Sequence, residues 1–458
     1  MSIPTATATP DPPGYEAAAT PTRRAVAERS MGGKPRLSLR LWHRLLTPGR
    51  LRPTPAARLR GWARVLEWRE ADTAGRLRLV KRAVWTPVRA WKEAREEVAR
   101  SGADVEAVTG LSPRTQHRQL CWLGARHALV TGSYLDYQLF RPERRRRAAE
   151  YLQEAEFFRV AHWLQRAVPN RDGYPILDKP AFEQWCRRHG LAVVPTLLEY
   201  HNGELVTSML GDAPAAALPR CDLFSKPSDG TGGHGTARWR YVGERDGEPA
   251  WMGGDGALRS ADALLGEIAR VSRTLPHKYG IASNRILVQP CLRNHRDLLP
   301  LTPGGLCTVR VLTYRHPGGE PRVALASYKM PVGDAPADNF CYGGIIAPVD
   351  LATGRLGEAI RRRGAVPVPI ERHPDTGTVI AGHQLPLWSE TLTLARRALE
   401  AGFERPTIGW DIAITDDGPV LVEGNTKSNP DVAQAPSGVP LSATPFPAAI
   451  DAYMRLVM

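Results

Sequence analysis

The sequence has no uncharged apolar run of the length a bilayer-spanning helix needs, about 20 residues. Its opening stretch, "MSIPTATATPDPPGYEAAATPT", has no basic start followed by an apolar core, so it does not read as a secretory signal and a cytoplasmic location is expected. Cysteine is sparse. Cys121, Cys186, Cys221, Cys291, Cys307 and Cys341 show neither CxxC nor zinc-like spacing, and reduced thiols are the expectation. The 12 histidines form no HExxH-like pair, and no Ser-His-Asp or Cys-His arrangement emerges, which argues against a zinc protease or a triad hydrolase. Zinc-finger, RNA-binding and recognition-helix patterns are missing too, so no nucleic-acid partner is expected. Aromatic residues make up only 7% of the chain, yet eight of the 12 tryptophans precede residue 190, where helix-packing core is the expected use.

What is present divides sharply along the chain. Residues 1–150 hold 29 Lys and Arg against 14 Asp and Glu, a net of +15, while the remainder holds 32 against 33, a net of −1. The whole basic excess is therefore N-terminal, which favours an anionic partner there. Residues 1–55 are rich in Pro, Ala and Arg without periodicity and are expected to form a flexible leader. Between 56 and 170, apolar residues recur every three or four positions, the helical pattern. Arg144 to Arg147 form a basic block before a helix: a solvated helix start, or a contact for anionic lipid or acidic glycan. From 171 onward, short β-prone runs and Gly-rich turns alternate with helices, which predicts an α+β or α/β architecture.

Two segments carry chemistry. "IGWDIAITDDGPVLVEGN" reads as two strands joined at Asp416-Asp417-Gly418, a hairpin-turn signal. With a three-residue loop, Thr415 pairs with Pro419 and Asp411 lies opposite Glu423, while alternation puts Glu423 and Asn425 on one face. Two carboxylates and an amide oxygen gathered at one spot call for a hard cation, Mg²⁺ or Mn²⁺. The second segment, "DLFSKPSDGTGGHGTARW", is a short strand ending near Lys226, followed by Gly230, Gly232, Gly233 and Gly235. Glycines this dense let backbone N–H groups wrap phosphate oxygens, and the strand lysine adds a fixed charge.

The order of these features resembles the ATP-grasp superfamily: Lys-Pro and a Gly-rich loop, then "RILVQPCL", "TVRVLTYR", Gly-Trp-Asp and Glu-x-Asn. More narrowly, "ADNFCYGGIIAPVD", "HPDTGTVIAGHQLPLW" and "GWDIAITDDGPVLVEGNTKSNPDVAQ" resemble the sugar-transfer-associated ATP-grasp family, over roughly residues 115–450. The resemblance implies an α+β fold in which two lobes clamp ATP, with a lead-in segment over 171–225 and a nucleotide- and metal-binding domain over 226–458. It implies phosphate contacts from Lys226, Lys179 and the glycine loop, and adenine contacts from the linker Gln289, Cys291 and Leu292, where Pro290 removes one N–H. Asp297 is the implied ribose ligand, with Asn294 and His295 as alternatives. Arg310 is implied near the γ-phosphate and the reacting carboxylate, and Asp411, Glu423 and Asn425 as the metal set. Lys329, Asn339, Gly343 and Gly344 are expected to border the acceptor.

The reaction so implied is ATP-dependent joining of a small-molecule carboxylate to an amine or other nucleophile through an acylphosphate. An ATP-grasp kinase acting on a hydroxyl, or a non-catalytic nucleotide-binding partner of a glycan assembly system, are the alternatives. The basic N-terminal part is expected to meet an anionic membrane surface or glycan-assembly proteins, which would make the protein membrane-peripheral.

Overall fold

A computed structural model describes residues 55–129, 131–167, 176, 178–229, 235–275, 283–302, 304–333, 338, 340, 343–401, 405–426 and 428–458. The expected leader, Gly230, Gly232, Gly233, Asn339 and Cys341 lie outside these residues. The five described cysteines are free thiols.

The fold is α+β, a helical region followed by two seven-stranded antiparallel sheets. The first sheet holds β1 (Leu198–His201), β2 (Glu204–Ser208), β3 (Leu223–Pro227), β4 (Ala237–Arg245), β5 (Glu248–Met252), β6 (Leu258–Ser260) and β7 (Arg285–Pro290), in the order β2-β1-β7-β3-β4-β5-β6. The second holds β8 (Thr308–Tyr314), β9 (Arg322–Met330), β10 (Ile345–Val349), β11 (Ala359–Arg363), β12 (Val366–Ile370), β13 (Thr407–Thr415) and β14 (Gly418–Asn425), in the order β12-β11-β10-β9-β8-β13-β14. The expected division at 225/226 falls inside β3.

Alternation along β8 and β13 decides what covers each face of the second sheet. Val309, Val311, Ile408, Trp410 and Ile412 join the core beneath the helix Trp388–Glu400. The helix Lys179–Arg188 adds Phe182 and Trp185 to that same core, with the Phe182 ring stacked 6.3 Å from Trp410. On the opposite face, Leu312 and Tyr314 pack with Leu59, Trp62 and Leu66 of the helix Pro55–Glu70, with Phe157, and with Phe446 and Met454. Trp62 Nε1 donates to Asp451 Oδ1 at 2.8 Å. The helical region thus shares a hydrophobic core with the last helix, Phe446–Val457.

A fully satisfied amide strengthens this union. Buried Gln434 accepts from Leu152 N (3.1 Å) and Leu441 N (2.9 Å) and donates to Leu152 O (3.0 Å) and the Tyr137 hydroxyl (3.1 Å). The arginine block is drawn in as well. Arg144 donates to Tyr137 O and Ala435 O, Arg145 to Leu139 O and Phe140 O, and Arg147 pairs with Glu150. Carbonyls left over where short helices end take up the guanidinium protons of Arg144 and Arg145, so half of this block is internal wiring, while Arg146 and Arg147 stay exposed. The tryptophans split: Trp62 and Trp185 are buried as expected, whereas Trp85, Trp91 and Trp122 are exposed, correcting the core assignment for those three.

Candidate functional site

The β13–β14 hairpin reaches the expected acid pair by a different route. Thr415 pairs with Gly418, not Pro419, so the turn has two residues, Asp416 and Asp417. That turn alone would set Val422 opposite Asp411. A bulge intervenes: Ile412 pairs with Leu421 while Asp411 pairs with Glu423, which leaves Val422 as the extra residue. Gly424 then lies over the Trp410 ring, where an added Cβ would come within 2.8 Å of Cζ3; only glycine lets the strand pass so close. Asn425 Nδ2 donates to Glu423 Oε1 at 3.1 Å and lies 3.5 Å from Asp411 Oδ2.

Across the sheet, Arg310 on β8 is the register partner of Asp411. Its guanidinium grips the carboxylate in two places, Nε to Oδ1 at 2.5 Å and Nη2 to Oδ2 at 2.9 Å. Lys329 on β9 adds its ammonium 3.3 Å from Asp411 Oδ2 and 3.2 Å from Asp338 Oδ1, and Asp338 accepts from Thr308 Oγ1 at 2.5 Å. Burial by itself would push Asp411 up, but Arg310 and Lys329 outweigh it and hold the acid well below the usual carboxylate range. Burial opposes the charge on Arg310 and Lys329 as well, and the acids reverse the sign: Asp411 raises Arg310, while Asp338 and Asp411 raise Lys329. Asp338 is itself raised, because burial exceeds the help of Lys329. Glu423 makes no ion pair with Lys, Arg or His among the described residues, whereas Asp411 makes two such pairs.

Lys226 of the first sheet and Lys179 of a helix bring two further cations. Lys226 sits on β3 opposite Leu287 of β7. Burial, with Lys179 beside it, pushes Lys226 down to about 8 against the pull of Glu423 and Glu183. Lys179 opens the helix Lys179–Arg188, capped by Asp178, and its Nζ donates to Ser228 O at 3.1 Å. Burial lowers Lys179, and Glu423, Asp229 and Asp178 oppose that. Glu423 therefore acts on both lysines as well as on Arg310 and Lys329. Charges from both sheets thus lie within electrostatic reach of this acid.

Other expected positions lie in varied settings. Gly235 has φ +73° at the start of β4, and an added Cβ would come within 2.9 Å of Pro227 Cγ. Gln289 is buried on β7 and donates to Thr196 Oγ1 at 3.1 Å. Cys291 N–H is already given to Asp222 O at 2.8 Å, and burial pushes its thiol up to about 12. Leu292 follows, past the strand end. Asp297 is 66% exposed and stands 3.6 Å from His295, whose backbone N–H donates to Ile414 O. It is thus placed near the turn end of the β13–β14 hairpin, away from Asn425. Gly343 accepts from Arg361 Nε at 3.0 Å, and Gly344 is buried just before β10.

A family model described as sugar-transfer-associated ATP-grasp matches residues 159–443. The chain belongs to that family. No curated protein matches this ATP-grasp chain. Among solved structures it is similar to a D-alanine–D-alanine ligase from Coxiella burnetii, with 11% identity, a TM-score of 0.36, and coverage of 67% of this chain and 68% of that one. A D-Ala:D-Ser ligase from Enterococcus faecalis is similar at 12% identity and TM-score 0.33, with 63% of each chain covered. An ADP complex of N5-carboxyaminoimidazole ribonucleotide synthetase is similar at 13% identity and TM-score 0.31, covering 60% of this chain. This ATP-grasp chain spans about half of that synthetase, 52%. These likenesses concern the fold alone.

Do the residues fit the magnesium–nucleotide that an ATP-grasp fold implies? No group of three or more His, Cys, Asp and Glu converges as a metal site among the described residues. The donor set is two acids and one amide. Asp411 is already matched by Arg310 and Lys329, while Glu423 is held only by Asn425 and its acidic neighbour. Asn425 turns its nitrogen toward the acids, and rotating the amide would present oxygen at the same place. An acid left with an acid, beside an amide that can offer oxygen, fits a hard cation. Sequence reasoning missed Thr308 and, above all, Asp338 in this network. Its only sequence signal is its place beside Asn339 in "ADNF".

Proposed function

We propose that this chain is an ATP- and Mg²⁺-dependent ligase that joins a small-molecule carboxylate to an amine or related nucleophile through an acylphosphate. The observation that carries the reading is the convergence of charges from both sheets on Glu423, with Lys226 and Lys179 from one side and Arg310, Lys329, Asp411 and Asn425 from the other. Lys226 and Lys179 would bind phosphate oxygens, with N–H groups of the glycine segment around Gly235 closing over them. Glu423 and Asn425, with Asp411 behind them, would hold the metal, which when bound supplies charge neutralisation at the phosphates. Arg310 is kept charged and fixed by its two-point grip on Asp411, so it needs no reorientation to stabilise charge developing on a transferred phosphoryl group. Ser428 Oγ and Asn429 Oδ1 are buried without hydrogen-bond partners among the described residues just beyond Asn425, and polar atoms in that state suit an acceptor's polar groups.

The test is mass spectrometry of products from the purified chain, ATP and Mg²⁺ with a panel of carboxylates, with and without amines. Hydroxylamine is added to trap an acylphosphate as the hydroxamate. Amide products that need both substrates support the reading. A stable phosphorylated hydroxyl compound formed without amine would replace it with the kinase, and nucleotide binding without turnover on any substrate would replace it with a non-catalytic role.

A further inference from the structure

The stretch from Thr73 to Lys92 contains six Lys and Arg and no Asp or Glu. It forms the helix Thr73–Val84, a bend at Trp85, and the first turns of the helix Thr86–Thr109. In a globular protein one face of such a helix packs inward. Here, among the described side chains and backbone of the first helix, only Gly75 is buried, and Leu79 is half-buried. Leu77, Val80, Val84, Trp85 and Val88 are between 47% and 71% exposed. Positions 77, 80 and 84 follow the three-and-four spacing of one face of the first helix, so their exposed side chains make a stripe, and Trp85 and Val88, at and beyond the bend, are exposed as well. Arg76, Arg78 and Lys81 are interleaved with them and also exposed.

We infer that this stripe is a docking surface for an anionic lipid membrane, on which the helix lies with Leu77, Val80 and Val84 among the acyl chains and the basic side chains at the headgroups. The mixture of groups selects the partner. Aliphatic side chains would gain nothing on a purely polyanionic surface, and a second copy of this chain would bring six cations against six. A lipid surface satisfies both halves, because long basic side chains extend to phosphates while their neighbours enter the apolar layer. Trp85 at the helix end suits the boundary between those layers. In the arginine block at 144–147, the other basic candidate, Arg144, Arg145 and Arg147 are engaged by Tyr137, Leu139, Phe140, Ala435 and Glu150, and among the described residues the block has no exposed aliphatic stripe beside it as residues 77–84 do. This inference does not depend on the reaction proposed above.

Sedimentation of the full chain with vesicles tests it, using mixed phosphatidylglycerol and phosphatidylcholine against phosphatidylcholine alone. The wild-type chain should bind the anionic vesicles, release from them with added salt and ignore the neutral ones. Two full-length variants, Leu77→Ser/Val80→Ser/Val84→Ser and Arg78→Glu/Lys81→Glu, alter only exposed side chains and should keep wild-type circular dichroism. The apolar variant should bind at least about tenfold more weakly, and the charge reversal about a hundredfold more weakly. Undiminished binding by both variants would place the lipid contact elsewhere and overturn the inference. So would equal binding to neutral vesicles, no binding by the wild type, or a wild-type dimer that the apolar variant dissolves.

Discussion

The two sheets have the same number of strands and the same antiparallel pairing, and they handle buried charge in opposite ways. In the second sheet, Arg310, Lys329, Asp411 and Asp338 neutralise one another at hydrogen-bond distance before any ligand arrives. In the first, Lys226 lies under β3 with a second lysine beside it, and its acidic help comes from groups on other elements. One arrangement makes a rigid platform whose charges are already settled. The other holds an electrostatic debt that an anion would settle. The difference predicts that damage to the second sheet registers first as lost stability, and damage to the first as lost nucleotide binding.

The largest effect expected is Asp411→Leu. It strips Arg310 of its only carboxylate within salt-bridge distance among the described residues and leaves Lys329 with Asp338 alone. Breaking a buried pair in this way costs about 3–5 kcal/mol, readable in urea unfolding. A cost under about 1 kcal/mol would mean that the platform is not held by its charges. Glu423→Gln comes next. Turnover should fall about 100-fold, equivalent to about 2.7 kcal/mol of barrier, with the unfolding midpoint unmoved, because Glu423 serves ligand charge rather than the sheet. Parallel loss of stability would erase the distinction between Asp411 and its neighbour across the hairpin.

Lys226→Met should weaken ATP binding by about tenfold in calorimetry while leaving stability equal or higher, since a desolvated charge is removed. The smallest effect is on pH. Lys226 is depressed from 10.5 to about 8, so it loses its proton as pH rises through about 8, and wild-type ATP affinity should fall there while the Lys226→Met profile stays flat. Stability should move the other way. Between about 8 and 10.5 the unfolded lysine binds more protons than the folded one, so its contribution to stability improves with rising pH across that window. If affinity and stability fell together, Lys226 would not be the group responsible.

Much of this was legible from spacing. A three-residue loop would put Asp411 opposite Glu423, and the structure reaches the same pair through a two-residue turn and a bulge, while alternation puts Asn425 beside Glu423. The bulge at Val422 was not legible, since a single extra residue on one strand leaves no mark in composition. Asp338 escaped because nothing in its local sequence ties it to Lys329, nine positions earlier. Periodicity also predicted apolar faces for the helices without saying what would cover them. The same texture gives the buried Trp62 of one helix and the exposed Trp85 at the end of the next. Arg144 was legible as a charge and not as a donor to Tyr137 and Ala435, carbonyls brought close only by the tertiary fold.

The bond from Trp62 to Asp451 joins residues 389 positions apart. On a ribosome adding 5–20 residues per second, the helix Pro55–Glu70 emerges about 20–80 s before the helix that completes its core. Until then Leu59, Trp62 and Leu66 have Phe157, Val160 and Leu164, and later Leu312 and Tyr314, to pack on, but not Phe446 and Met454, and the second sheet lacks β13 and β14 until nearly the end. This core therefore closes only when the last helix is made, long after the first sheet, whose own core lies within residues 198–288, has been synthesised.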